Sequence, residues 1–136
     1  MIRVELSKII IDEKRQDQII VLKEKDGERQ FPIVIGFLEA SSIKMKLAQI
    51  DPPRPMTHDL LIATIEAMGG TLEKLVIDKI ESNTFHAKLH IKTKAKKAVI
   101  VDARPSDGVA LAVRVGADIY AEEDVLKKAV IFKPEQ

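Results

Sequence analysis

At Gly36 the apolar period of this 136-residue chain changes from two to about 3.6, and the change divides what each part can become. Upstream, Ile2, Val4 and Leu6 alternate with Arg3, Glu5 and Ser7, which predicts a strand over 2–11. A polar turn, DEKRQ at 12–16, leads to a second strand, DQIIVLKEK. Asp26-Gly27 then marks a hairpin, because glycine accepts positive φ, and RQFPIVIG reads as a third strand. Pro32 cannot donate to a ladder, so that strand belongs at an edge or begins there. An antiparallel meander is expected.

Downstream, Phe37, Ala40, Ile43, Leu47 and Ile50 recur at steps of three and four, one face of a helix. Three prolines within 52–55 must end it. Thr57 is placed as the N-cap of a second helix, HDLLIATIEAM, closed by Gly69-Gly70; it is apolar on most sides, which predicts burial. TLEKLVIDKIES and TFHAKLHIKT form a second hairpin about ESN, and KAVIVDA reads as a buried strand. PSDGVALAVRVG is a third helix, with Pro105 at or near its first position and Gly116 at its end. DIYAE is a short strand and EEDVLKKA a short final helix. The expected fold class is α+β: a single domain over 1–136, with a mixed, largely antiparallel sheet and about three main helices.

The 22 basic residues nearly balance the 21 acidic ones, so no global field draws a polyanion. Nucleic acid would need a local patch, and KTKAKK, with Lys94, Lys96 and Lys97, is the candidate, although a run of lysines is more often a solvated loop. No cysteine is present, which removes disulfides, thiolate catalysis and cysteine-zinc sites. No apolar run approaches a membrane span and the N-terminus lacks signal-peptide character. A cytoplasmic protein with no membrane partner is expected.

Two stretches place an arginine-proline pair, a hydroxyl residue and an aspartate ahead of an apolar run: RPMTHDL and DARPSD. Helix initiation explains Thr57, Asp59, Pro105, Ser106 and Asp107. It does not explain Arg54, His58, Asp102 or Arg104. Arginines at a helix start suit an anion, and His58 suits a general acid or base. Asp102, at the end of a strand read as buried, needs a partner, and Arg104 or Arg54 is expected to supply it. If the helix starts converge, Glu39, Asp59, Asp102 and Asp107 form a set of hard oxygens suited to Mg²⁺ or Mn²⁺. His86 and His90 share a strand face but stand about 13 Å apart, too far for one metal. No P-loop, GxGxxG, HExxH or GxSxG occurs. Ser106 has no base beside it in sequence, which argues against it as a nucleophile. One Tyr and four Phe make a poor base-stacking platform.

In order along the chain, FPIVIGFLEASSI, RPMTHDLL, NTFHAKL and DARPSDGVALAVR resemble the motifs of the bifunctional nuclease domain family. The resemblance rests on Ile35, Gly36, Glu39 and Ala40, on Arg54, Pro55, Thr57, His58, Asp59 and Leu60, and on Asp102, Arg104, Pro105, Ser106 and Asp107. It implies a one-domain α+β fold, assembly into homo-oligomers, and hydrolysis of both RNA and DNA. It also implies a minimal version of the domain, without the C-terminal additions of some relatives. On that expectation His58, Asp59, Asp102 and Asp107 are the catalytic candidates. Arg54, Arg104, Thr57, Ser106, Lys94, Lys96 and Lys97 bind substrate, and Glu39, Asp59 and Asp102 are the candidate metal ligands. A non-catalytic anion- or phospholigand-binding module and an oligomeric scaffold are the alternatives.

Overall fold

The computed structural model describes residues 1–12, 14 and 17–129, so the polar turn read at 12–16 lies partly outside the described residues. The elements are β1 (Ile2–Ile10), β2 (Asp17–Glu24), β3 (Gln30–Gly36), α1 (Phe37–Leu47), α2 (Thr57–Ala67), β4 (Thr71–Glu81), β5 (Thr84–Lys92), β6 (Ala98–Ala103), α3 (Pro105–Val115), β7 (Asp118–Ala121) and α4 (Glu123–Ala129). One mixed sheet runs β3-β2-β1-β7-β4-β5-β6. Every pairing is antiparallel except β4 with β7, which is parallel. The α+β expectation holds, and Pro32 lies on an edge strand.

The sheet is strongly curled. β3 and β5 are separated by four strands in the sheet order, yet the rings of Phe31 and Phe85 stack with centroids 5.6 Å apart. The curl wraps α3, which touches β3, β4, β5 and β7. Val109, Ala110, Leu111 and Ala112 are consequently buried in succession, the pattern of a helix enclosed on most sides. Gly108 permits the approach to β4: a Cβ there would lie 2.4 Å from Leu75 Cδ1. Ile20, Leu22, Phe31, Ile43, Leu75, Ile77, Val109 and Leu126 form the fully buried centre.

Several local expectations need correction. α1 buries Ala40 and Ile43 but leaves Phe37, Leu47 and Ile50 exposed, because the helix stops at Leu47 and only its middle meets the sheet and α3. α2 lies on the surface: Leu60 and Leu61 are exposed and His58 is its buried residue. Its N-cap is Met56 rather than Thr57, and the Met56 N–H donates to Asp59 Oδ2 at 3.0 Å. β6 is an exposed edge strand, not a buried one. Gly27 is not in the positive-φ region; in the β4–β5 turn it is the two central residues, Ser82 and Asn83, that adopt it. Gly27 instead leaves room for the Glu24 carboxylate, which an added Cβ would meet at 2.8 Å.

Candidate active site

α1, α2 and α3 meet along one line of polar side chains. α3 fixes its ends firmly. Pro105 sits at the first turn, where no amide is needed, and Gly116 closes the helix at φ 70°. Asp107 lies in the first turn and Arg114 in the last, two turns apart on one face, about 10 Å along the axis. His58, 8% exposed, enters from the second position of α2. Ser42 comes from the middle of α1, beside the buried Ile43.

His58 Nε2 lies 2.9 Å from Asp107 Oδ1, and His58 Nδ1 lies 2.9 Å from Ser42 Oγ. Arg114 donates from Nη2 to Ser42 Oγ at 2.9 Å, from Nε to Asp59 Oδ1 at 2.8 Å, and from Nη1 to the Ala110 carbonyl at 2.9 Å. Beyond Asp107, Arg104 Nε donates to Oδ2 at 2.9 Å, and Arg104 Nη2 stands 3.7 Å from Glu39 Oε2. The chain of contacts runs Glu39–Arg104–Asp107–His58–Ser42–Arg114–Asp59.

The partners fix the protons. A carboxylate only accepts, so neutral His58 carries its hydrogen on Nε2 and donates to Asp107. Nδ1 is then an acceptor. Arg114 can only donate to Ser42 Oγ, which leaves the Ser42 hydroxyl free to donate to Nδ1. The Met56 amide first, and then Arg114, hold the Asp59 carboxyl below its ordinary range. The hydrogen bond to Asp107 raises the Arg104 guanidinium above its usual value.

This line faces a cleft of about 860 Å³. Ser42, His58, Asp107, Arg104 and Arg114 line it on one side; Leu38, Met45, Leu61, Leu89, Ile91 and Val101 give the rest an apolar character. Arg104, 68% exposed, also borders a second cleft of about 560 Å³ that includes Ser106.

The sequence candidates are thus sorted by the fold. His58, Asp107 and Arg104 come together, with Thr57 on the cleft wall. Asp59 joins through Arg114. Asp102 lines the same cleft but does not join the network: it pairs with Lys88 at 3.1 Å, not with an arginine, and Lys88 also reaches Asp78 at 3.2 Å. Those two carboxylates raise the Lys88 ammonium above its ordinary value. Arg54 is exposed and is not part of either cleft's lining, and Ser106 is buried. Lys94, Lys96 and Lys97 form the β5–β6 turn, about 20 Å from Arg104 along the strand.

The carboxylates proposed for a metal do not converge. Glu39 faces Arg104, Asp59 faces Arg114 and Asp102 faces Lys88. Among the described residues no three His, Asp or Glu side chains are grouped to hold an ion, so these positions do not fit Mg²⁺ or Mn²⁺ as arranged. Sequence reasoning missed Ser42 and Arg114. Their signals were positional: Arg114 follows Asp107 by seven residues, and Ser42 follows Glu39 by three, each pair on one helix face.

The bifunctional nuclease domain model matches residues 20–134. The chain belongs to the bifunctional nuclease domain family. The matched span includes Ser42, His58, Asp107 and both network arginines. Two proteins of Mycobacterium tuberculosis are similar to it: the uncharacterized protein MT1877 of strain CDC 1551 / Oshkosh and the uncharacterized protein Rv1829 of strain ATCC 25618 / H37Rv. Each is 39% identical over 128 residues, covering 94% of this chain and 76% of the relative. Among the described residues, no helix is long and apolar enough to cross a membrane.

Proposed function

We propose that this family member hydrolyses phosphodiester bonds of RNA and DNA with little sequence preference. One observation carries the reading beyond family membership: an imidazole held between a hydroxyl and a carboxylate, on the wall of a cleft with an arginine at its edge. His58 Nδ1 is the base, and Asp107 fixes the tautomer and stabilises the imidazolium that forms. Glu39, Asp59 and Asp102 are engaged with cations of the protein itself. Arg104, exposed at the edge of the cleft, neutralises charge that develops on the phosphate. The lysine turn would hold the nucleic-acid backbone away from the cleavage point, a salt-sensitive contact without base readout.

Assembly into homo-oligomers is part of the proposal. Leu60, Met68, Val99 and Ile100, none of them lining the cleft, are exposed on α2, at its end and on β6, apolar side chains that a second copy would cover. Sedimentation should give a mass above that of one 15.2 kDa chain.

The test is cleavage of labelled single-stranded RNA and DNA by wild-type and His58→Ala protein purified in parallel, in Mg²⁺, in Mn²⁺ and in EDTA. Wild type should cut both substrates and the variant neither. Equal cutting by both proteins would assign the activity elsewhere. Anion binding retained by both, with no cutting, would favour the binding-module alternative.

A further inference from the structure

We infer that Ser42 is the nucleophile of this site, and that cleavage passes through a phosphodiester between Ser42 Oγ and the retained nucleotide. The inference rests on the hydrolase reading above and adds the identity of the attacking atom.

Ser42 stands mid-helix, where a hydroxyl commonly bonds back to the carbonyl four residues earlier. Thr64 on α2 does this, donating to the Leu60 carbonyl at 2.8 Å. Ser42 Oγ instead meets His58 Nδ1 and Arg114 Nη2, both at 2.9 Å, and it borders the cleft. Nucleophile, base and base-orienting carboxylate are therefore in sequence, each at hydrogen-bond distance, with the ring nitrogens exchanged relative to the usual serine hydrolase order. The exchange leaves the chemistry intact, because either imidazole nitrogen accepts a proton once the other is held. Arg114 places positive charge beside the oxygen on which negative charge grows. A requirement of the proposed substrates agrees. DNA has no 2′-hydroxyl, so an enzyme that cuts both DNA and RNA by one route needs a nucleophile from outside the substrate.

Ser42 gives its proton to His58 Nδ1 as Oγ bonds to phosphorus. The bond from phosphorus to the leaving oxygen breaks on the opposite side, and that oxygen takes a proton from water. The hydroxide so formed attacks phosphorus from the side the alcohol left. The bond to Ser42 Oγ breaks, and Oγ recovers its proton from His58. One water is consumed, and one phosphodiester becomes a phosphomonoester and an alcohol. Two in-line displacements each invert phosphorus, so the overall result is retention.

The experiment uses the intact wild-type chain in two arms. The first cleaves a phosphorothioate diester of one configuration in ¹⁸O-water and reads the product's configuration. The second treats the protein with an alkyl fluorophosphonate, whose apolar chain suits the cleft lining, and maps the adduct by mass spectrometry. Retention, and an adduct on Ser42 that His58→Ala reduces at least 100-fold in rate, are expected. Inversion with efficient cleavage would leave the hydrolase reading standing and overturn Ser42 as nucleophile. No cleavage, but an adduct on Ser42 that depends on His58, would overturn the nucleic-acid substrate and retain Ser42's reactivity. No adduct in folded protein, by circular dichroism, would overturn the inference. Ser42→Ala should lower kcat at least 100-fold with little change in KM; a fall in melting temperature with kcat preserved would assign Ser42 a purely structural role.

Discussion

Two ion-paired regions of the molecule use the same residue types toward different ends. At the β2–β3 turn, Arg29 is clamped between two carboxylates. It donates to Glu24 at 2.9 and 3.1 Å and to Glu123, at the start of α4, at 2.6 and 2.9 Å. Both acids are held below their ordinary range, chiefly by the Arg29 side chain, and the guanidinium is raised in return. Each charge in that clamp meets its opposite, and no group in it passes a proton near neutrality. The helix line also pairs carboxylates with arginines at its ends, but its centre is His58 and Ser42. Those two can exchange a proton, and a cleft opens beside them. A closed clamp ties the β2–β3 hairpin to the last helix; an arginine-flanked relay with a movable proton is a site for chemistry.

The largest effect should come from breaking the relay. His58→Ala is expected to lower cleavage of labelled RNA by about 10²–10⁴-fold. Asp107→Asn, which keeps the shape but permits the wrong tautomer, should cost up to about 10⁴-fold with circular dichroism unchanged. Gly108→Ala comes next, since its methyl would crowd Leu75. Chemical denaturation should show a loss of about 1–3 kcal/mol, with lower activity from the neighbouring Asp107. Arg29→Ala sharpens the contrast: about 1 kcal/mol of stability should go, while kcat stays within twofold.

Acid tests both regions together. Glu24 and Asp59 have folded values below their ordinary 4.5 and 3.8, so the stability they give is present above those values and is lost as pH falls through the folded values. Melting temperature should fall on acidification below about pH 4, and Arg29→Ala should make that fall shallower. The smallest expected effect concerns the lysine turn. Changing Lys94, Lys96 and Lys97 to Gln should weaken single-strand binding several-fold and reduce the salt slope by about 0.7 for each phosphate that is no longer neutralised.

The strands were legible in the sequence because their period is short and their turns are marked. Even the β4–β5 hairpin followed from Ser82-Asn83. α3 was legible from Pro105 and Gly116. Exposure was not. The apolar content of α2 and β6 suggested burial, yet Leu60, Leu61, Val99 and Val101 face outward, because hydrophobicity along a segment does not say which surface remains uncovered. His58, Arg104 and Asp107 could be singled out as exceeding or accompanying what a helix start needs. Asp102 was singled out on the same ground, yet it pairs with Lys88, since β6 sets its side chain beside the lysine of the neighbouring strand. Ser42 and Arg114 carry ordinary helical identities in ordinary positions. Only the packing of α1 against α3 brings them within 2.9 Å of one another.

Everything proposed for the site depends on where the His58 proton sits, and nitrogen NMR reads that directly. The chain has three histidines, so His58→Ala assigns the His58 ring signals by difference. At pH 7.5 the relay requires a proton on Nε2, held by Asp107, and an unprotonated Nδ1 accepting from Ser42. A neutral ring with its proton on Nδ1, or a doubly protonated ring at that pH, would contradict it.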